Sequence, residues 1–320
     1  MKSLVATNIR QALDATNAAP QFPSFHRLED GRVECDDGDQ FGFYALAAAC
    51  RAVLVGTRFL QAGDVLQASE FHAASIVCYY TSGLNMVLSF LALHGRAYVD
   101  SPWGPLRENP DPSSPMREKL WPDEASLLAV LSARNRWTFE KRSRTHAARW
   151  EEVRRAFEEE GQLPAPFFDL FEYVLSYGPH QFGGAYRGHD YLTELVHRGS
   201  KAVREVRHEA VYKGFGFDEF AVDLIVNDEG GGNWCGLGLK GEAFRRFCVE
   251  MGEMQIQEIV GFLDELAPDR WKVWHPSLFM AVFTPEFEVG WQAVTGAEVY
   301  SHDLQRLRRL LMPTRHAGPD

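Results

Sequence analysis

The chain contains little cysteine, and its spacing suits neither a metal site nor a disulfide framework. Five of the 320 residues are cysteine, and no two of them form a CxxC pair. An odd count with several members in apolar segments predicts buried thiols. The cysteines are Cys35, Cys50, Cys78, Cys235 and Cys248. We therefore expect neither zinc nor disulfides.

The motifs of the common hydrolases are also missing. The chain has no Walker GxxxxGK[ST], HExxH or GxSxG sequence. Gly236 and Gly238 in CGLGLKG lack the strand, turn and helix that surround a phosphate loop. The acidic turn Asp36–Gly42 has too few correctly spaced oxygens for a calcium loop. We therefore exclude the usual nucleotide hydrolases, zinc proteases and esterases, and we expect no cofactor.

The N-terminal sequence MKSLVATNIRQALDATNAA lacks the apolar core of a secretory signal. Asp14 and the amide side chains around it also argue against a transit peptide. We expect a cytoplasmic protein.

Basic residues are fewer than acidic ones, 33 against 44, which gives a net charge of −11. This balance argues against nucleic acid as a partner, because Lys and Arg supply most sequence-independent affinity for phosphates. Residues 134–155 depart from it, with eight basic residues, three acidic ones and interleaved tryptophans. The segment predicts an RNA or DNA surface that offers charge and stacking planes, or else a solvated basic helix paired with acidic loops. The candidate substrate-binding residues are Arg142, His146, Arg149 and Trp150.

A long stretch between Glu70 and Arg96 has no Asp, Glu, Lys or Arg. Its apolar residues recur every three and four positions, which predicts a helix covered on several sides. The length would span a membrane, but Thr81, Ser82 and Asn85 make the centre too polar, so we expect a central bundle helix and no membrane. Small polar residues along one line predict close approach by another helix, within the chain or across a dimer. The line comprises His72, Ser75, Ser82, Asn85 and Ser89.

Helices are predicted over most of the chain from apolar periodicity and stop signals. They cover residues 2–16, 41–66, 70–96, 123–133, 139–160, 167–175, 190–212, 242–266 and 302–311. We expect Arg51 and Arg58 on the wetter side of the second helix. Residues 34–39 read as a loop, and six prolines interrupt residues 101–122.

Alternating residues and a glycine-rich turn predict a β-hairpin near residues 217–240, with short strands near the C-terminus. The predicted fold class is mainly α, a helical bundle with a small β-hairpin or short-sheet appendage in the C-terminal third. The predicted parts are residues 1–100, the proline-rich loop 101–122, the helical part 123–266 and an aromatic-rich segment 267–320 on the same domain.

One predicted helix carries a candidate catalytic set. Arg204, His208 and Tyr212 recur every four residues and share a flank, with Arg207 adjacent. Arginine can stabilise charge on phosphoryl oxygens, while His or Tyr transfers the proton of an attacking 2′-hydroxyl or of the leaving oxygen. This chemistry needs no metal. The alternative is that the histidines form structural hydrogen bonds.

Two of these segments together resemble a known family. Tyr79 and Tyr80 with Leu84 and Asn85, then an apolar run to Gly95, precede VREVRHEAVY by about a hundred residues. The pattern is similar to that of the HEPN superfamily, and more narrowly to YaaC-like proteins. The resemblance covers two helices and implies a dimeric helical bundle. It also implies a metal-independent ribonuclease of a toxin or anti-phage system.

The family's catalytic pattern is an Arg, often followed by Asn, with a His further along the helix. Aligned on Arg207, this chain has His208 at the Asn position and Tyr212 at the His position. The resemblance therefore implies either a nuclease or a binding module that has lost cleavage.

Two classes of function follow. One is a homodimeric endoribonuclease in which Arg204, Arg207 and His208 line a composite cleft and the Arg142 segment guides RNA. The other is a non-catalytic helical interaction or scaffold protein that binds a protein or nucleic-acid partner. It would use its acidic surface or the tryptophan-rich tail, which contains Trp271, Trp274 and Trp291.

Overall fold

The structure is a computed structural model of the chain. It describes residues 25–27, 32–35, 38–99, 127–132, 136–143, 145–161, 163–176, 189–212 and 232–266. The helices predicted at residues 2–16 and 302–311, the proline-rich loop, the first strand of the predicted hairpin and the aromatic-rich tail lie outside the described residues.

Six helices and five short strands make up the described part of the chain. The helices are α1 (Gly38–Ala68), α2 (His72–Leu93), α3 (His146–Glu160), α4 (Ala165–Ser176), α5 (His189–Tyr212) and α6 (Gly232–Leu266). The strands are β1 (Phe25–Arg27), β2 (Val33–Cys35), β3 (Arg96–Val99), β4 (Leu127–Leu131) and β5 (Trp137–Lys141). This confirms a mainly α fold with a short sheet.

The strands form one antiparallel sheet in the order β1-β2-β5-β4-β3. In its central pair, Leu131 lies opposite Trp137 and Ala129 opposite Phe139. All four of these residues are buried. Alternate side chains of a strand point to the same face, so the pairs form one apolar face of the sheet.

Four local predictions are wrong. Residues 127–131 form β4 instead of part of a helix, and residues 139–141 lie in β5 instead of beginning a helix. Residues 34 and 35 lie in β2 instead of a loop, and residues 234–240 lie in α6 instead of the second strand of a hairpin. Short apolar runs such as LLAVL fit strand and helix equally well, so tertiary pairing decides between the two.

The chain forms two compact units. The first contains the sheet with residues 38–52 of α1, 88–93 of α2, 146–149 of α3 and 258–266 of α6. The second contains α4, α5 and the remaining parts of those four helices. The predicted catalytic helix α5 thus belongs to the second unit.

Helix α2 is buried, as its uncharged sequence predicts. By length and composition alone it could cross a membrane. Its most apolar stretch of 18 residues has a mean hydropathy of 1.6, and 72% of that stretch is buried inside the protein. The core helix of a globular protein has the same character.

The polar line on α2 contacts α1 within the second unit. Ser75 donates a hydrogen bond to the Gln67 Oε1 of α1 at 2.7 Å. A Cβ at Gly56 of α1 would lie 3.2 Å from the Ser82 carbonyl oxygen, so a larger residue there would push the helices apart. At Ser75 and Ser82 the line is therefore an intrachain contact.

Helix α5 buries one stripe and leaves another in solvent. Five apolar residues at helical spacing are buried, but Leu192 is exposed. The buried ones are Leu195, Val196, Val203, Val206 and Ala210. A Cβ at Gly199 would overlap the Phe171 ring of α4, so α5 packs closely on α4 there. This packing fixes which flank of α5 is exposed.

Candidate functional site

Tyr79 and Tyr80 are neighbours on α2 and contact different parts of the second unit. Consecutive side chains leave an α-helix about 100° apart. The Tyr79 hydroxyl donates to Asp64 Oδ1 at 2.8 Å, and Arg245 Nε donates to the same oxygen at 2.8 Å. Cys248 Sγ lies 3.1 Å from the Tyr79 carbonyl oxygen and donates to it. We call Asp64, Tyr79, Arg245 and Cys248 the Asp64 cluster.

The Asp64 cluster is closed to solvent. Asp64 and Tyr79 are 0% exposed and Arg245 is 5% exposed. A buried charge is tolerated when an opposite charge and hydrogen bonds compensate its lost hydration. Burial also raises the pKa of the Cys248 thiol to about 12. These features describe a structural polar core, with no space for a substrate.

Tyr80 lies at the centre of an aromatic group. Its hydroxyl accepts a hydrogen bond from Trp150 Nε1 of α3 at 3.1 Å. The Tyr80 ring centroid lies 6.5 Å from that of Trp150 and 6.2 Å from that of Phe244 on α6. The Arg207 Cζ of α5 lies over the Tyr80 ring, 5.6 Å from its centroid. We call Tyr80, Trp150, Phe244 and Arg207 the Tyr80 platform.

Arg207 keeps its positive charge without a carboxylate partner among the described residues. The side chain is half-buried, and its Nε is covered but has no hydrogen-bond partner in the part of the chain that the structure describes. Stacking on a tyrosine face stabilises a guanidinium by the attraction of its charge to the ring quadrupole. The ring thus supports the charge but does not neutralise it, so Arg207 can still bind an anion.

The other predicted catalytic residues lie on the same helix. Arg204 is half-buried, and its Nε donates to the Ser200 carbonyl oxygen at 3.2 Å. His208 is exposed, and Tyr212 is the last residue of α5, with a side chain outside the described set. Arg204, Arg207 and His208 therefore occupy one flank at the C-terminal end of α5.

The N-terminal half of α5 has a different charge pattern. Arg198 forms an ion pair with Glu194, and Lys201 lies 3.8 Å from Glu205. Arg204 and Arg207 have no carboxylate partner among the described residues. The helix thus changes from paired charges to uncompensated positive charge along its length, and the uncompensated end is a candidate anion-binding surface.

The predicted substrate-binding segment is divided between strand, loop and helix. Arg142 precedes α3 and donates to Glu140 Oε2 at 2.6 Å, while His146 is the first residue of α3 and is half-buried. The predicted helix 139–160 would place both residues on one helix. This prediction is wrong for Arg142, because β5 occupies residues 137–141 and α3 begins only at His146.

Arg149 and Trp150 are adjacent on α3 and belong to different units. In the first unit, the Arg149 Cζ lies 5.7 Å from the Tyr98 ring centroid, and its Nε has no hydrogen-bond partner within the described ranges. In the second unit, Trp150 is 1% exposed. Its predicted role as a stacking plane for a base is therefore wrong, because its indole is already buried against Tyr80 and Phe171.

The last two arginines of the basic segment are compensated on α3 itself. Arg154 pairs with Glu151 and Glu158, and Arg155 with Glu152. The hydrogen bond from Arg154 holds the pKa of Glu151 below its usual value. The excess of basic residues in the sequence therefore overstates the positive charge that this helix offers to a phosphate.

A groove lined by α4 and α6 does not contain the predicted catalytic residues. Pro166, Leu170 and Phe247 line it, and Arg246 on its rim pairs with Asp169 and Glu250. Among the described residues, no group of three or more His, Cys, Asp and Glu side chains could hold a metal ion.

Sequence reasoning missed Asp64, Arg245 and Tyr98. A lone acid in the apolar stretch LQAGDVLQA and an arginine in AFRRFCVEM were the available signals. Each resembles an ordinary exposed charge, because their pairing joins residues 181 positions apart.

Comparisons with family models, with curated proteins and with solved structures find no match for this chain. The resemblance to the HEPN superfamily therefore stays a prediction. The function has to be argued from the site itself.

Proposed function

We propose that the protein is a metal-independent endoribonuclease whose reaction centre is the C-terminal end of α5. One observation carries the proposal: Arg207 is half-buried on the Tyr80 ring without a carboxylate partner among the described residues, and the exposed His208 is next to it. An uncompensated arginine beside a solvent-accessible histidine suits a reaction at a phosphate.

The reaction proposed is attack by the 2′-oxygen of RNA on the adjacent phosphorus. His208 takes the proton of the 2′-hydroxyl as the new P–O bond forms. The P–O5′ bond breaks, and the 5′-oxygen takes a proton from Tyr212, the second predicted proton-transfer group. The products are a 2′,3′-cyclic phosphate and a 5′-hydroxyl. Arg207 and Arg204 stabilise the negative charge that develops on the phosphoryl oxygens.

In this proposal the enzyme is a homodimer of a toxin or anti-phage system, as the resemblance implies, and acts in the cytoplasm. In the first unit, Arg149, Arg142 and His146 would contact phosphates of the RNA backbone. Arg149 lies over the Tyr98 ring and has no carboxylate partner among the described residues, so it supports this role best, whereas Arg142 already pairs with Glu140.

The test is a cleavage assay in EDTA with structured and single-stranded RNA. We expect cleavage, and we expect Arg207→Ala or His208→Ala to lower kcat/KM by about 10²–10³-fold, as for loss of one charge-stabilising donor. Arg198→Ala is the matched control, because Arg198 lies on the same helix but is paired with Glu194. Sizing chromatography of the same samples reports the oligomeric state.

The alternative is a non-catalytic helical interaction or scaffold protein. The tyrosine at position 212, where the family pattern has histidine, favours it. RNA binding without cleavage in EDTA, or cleavage indifferent to both Arg207→Ala and His208→Ala, would replace the nuclease with this alternative.

A further inference from the structure

The Tyr80 platform places a buried hydrogen bond directly behind the candidate reaction centre. Tyr80 and Trp150 are each 1% exposed. The indole N–H of Trp150 donates to the Tyr80 hydroxyl at 3.1 Å, and the Arg207 guanidinium lies over the Tyr80 ring. Trp150, Tyr80 and Arg207 therefore form a series of contacts that joins helices α3, α2 and α5.

We propose that Tyr80 is a positioning residue that holds Arg207 in the orientation for binding a phosphate, and that Trp150 fixes the plane of the Tyr80 ring. The inference rests on the proposed function for its phosphate ligand. The orientation of Arg207 by Tyr80 is a separate claim that can be measured without any substrate.

The physical argument begins with the flexibility of arginine. A free arginine side chain loses much rotamer entropy when it binds one anion, so a site gains affinity if the side chain is ordered beforehand. A carboxylate would order Arg207 but would also neutralise it. An aromatic face orders the guanidinium and leaves its outer N–H donors available to an anion.

Trp150 contributes because an unrestrained tyrosine ring can rotate about its χ angles. The hydrogen bond to the hydroxyl and the packing of Phe244 fix the ring plane. The cation–π attraction depends on the guanidinium meeting the ring face, where the quadrupole is negative. Loss of the Trp150 N–H would therefore weaken the orientation of Arg207 without removing its charge.

The first experiment follows the Arg207 Nε–H signal by ¹⁵N NMR in the full chain, with Arg207→Lys used to assign it. A proton above an aromatic ring is shifted upfield by the ring current. We expect the full shift in the wild type, a reduced shift in Tyr80→Phe, which keeps the ring but loses the hydrogen bond from Trp150, and no shift in Tyr80→Leu. An unchanged signal in folded Tyr80→Leu would overturn the proposal.

The matched control is Tyr79→Phe. It also removes a buried tyrosine hydroxyl from α2, but that hydroxyl bonds to Asp64 and not to the platform. The Arg207 signal should not move in this variant. Where Tyr80→Leu does not fold, Trp150→Phe serves as the test, because it keeps an aromatic ring and removes the indole donor together with part of the buried ring system. It should reduce the upfield shift, and no reduction would overturn the role of Trp150.

The second experiment measures binding of a 2′-O-methyl oligonucleotide, which cannot be cleaved by its own 2′-oxygen. We expect Tyr80→Leu to weaken binding roughly 3- to 5-fold, which is near the upper end of what one half-exposed cation–π contact supplies. Tyr79→Phe should bind within about twofold of the wild type, and Tyr80→Phe should bind more weakly than the wild type but more tightly than Tyr80→Leu. Equal binding by folded Tyr80→Leu would overturn the positioning role.

The two proposals fail separately. Binding that depends on Tyr80 without any cleavage in EDTA would overturn the nuclease and leave the positioning role standing. Cleavage in EDTA that is indifferent to Tyr80→Leu would leave the nuclease standing and overturn the positioning role.

Discussion

Two adjacent tyrosines on one helix are associated with two arginines in opposite ways. Tyr79 shares the Asp64 carboxylate with Arg245, so that arginine is both buried and neutralised. The Arg207 guanidinium lies over the Tyr80 ring and has no carboxylate partner among the described residues. An arginine that is satisfied inside the protein contributes to stability, whereas one that is only supported remains available to a ligand. Residue type alone does not distinguish the two.

The largest effect on stability should come from disrupting the buried pair of Asp64 and Arg245. We expect Asp64→Ala to lower the free energy of unfolding by about 3–5 kcal/mol, because it leaves the buried charge of Arg245 without its carboxylate. Arg207→Ala should lower it by less than about 1 kcal/mol, because a half-exposed cation–π contact is weak. Urea denaturation of both variants measures the difference. Equal losses would mean that Arg207 is as structural as Arg245.

A smaller effect should appear in alkaline solution through Cys248. Burial raises its pKa from 9.0 to about 12. In the unfolded chain the thiol ionises near pH 9, while the folded protein still holds the proton. The unfolded state then binds fewer protons, so stability is fully present below about pH 9 and is lost as pH rises towards 12.

We therefore expect the free energy of unfolding of the wild type to fall relative to that of Cys248→Ala by about 1.4 kcal/mol per pH unit in this window. Urea denaturation of both proteins across a pH series gives the difference. Parallel pH profiles would show that the Asp64 cluster is open to water.

The smallest effect should come from the paired half of α5. We expect Glu194→Gln to change the free energy of unfolding by about 0.3–0.5 kcal/mol, because exposed helix ion pairs contribute little. It should leave RNA cleavage unchanged. A loss of cleavage comparable with that of Arg207→Ala would extend the functional surface along the whole helix and weaken the contrast between its two ends.

The sequence predicted the long helices well and the sheet poorly. Helices α1, α2 and α5 carry many turns of apolar periodicity, so a single exposed apolar residue such as Leu192 does not hide the helical pattern. Strands β2, β4 and β5 have three to five residues each, too few for a periodic signal. Their pairing joins residue 33 to residue 139, and such distant contacts are invisible in local sequence.

The candidate site was predictable as residues but not as contacts. Arg207 and His208 stood out by type and spacing, and Tyr80 by the family pattern. That Tyr80 supports Arg207, and that Trp150 bonds to Tyr80, depends on helices α2, α3 and α5 packing together. The prediction that Trp150 stacks on a base is wrong because a segment of tryptophan and basic residues has the same composition whether the tryptophan is exposed or buried.

The tight turn between α1 and α2 has a consequence for how the chain can vary in length. Glu70 holds a left-handed backbone conformation there, with a φ of 63°, and 15 positions separate Asp64 from Tyr79. One inserted or deleted residue in the first turns of α2 would rotate everything after it by about 100°. Tyr79 would leave Asp64 and Tyr80 would leave Arg207 in the same event. The number of residues from Asp64 to Tyr80 is therefore constrained by both contacts. Proteins that share this arrangement should vary in the length of their loops but not in the length of this interval.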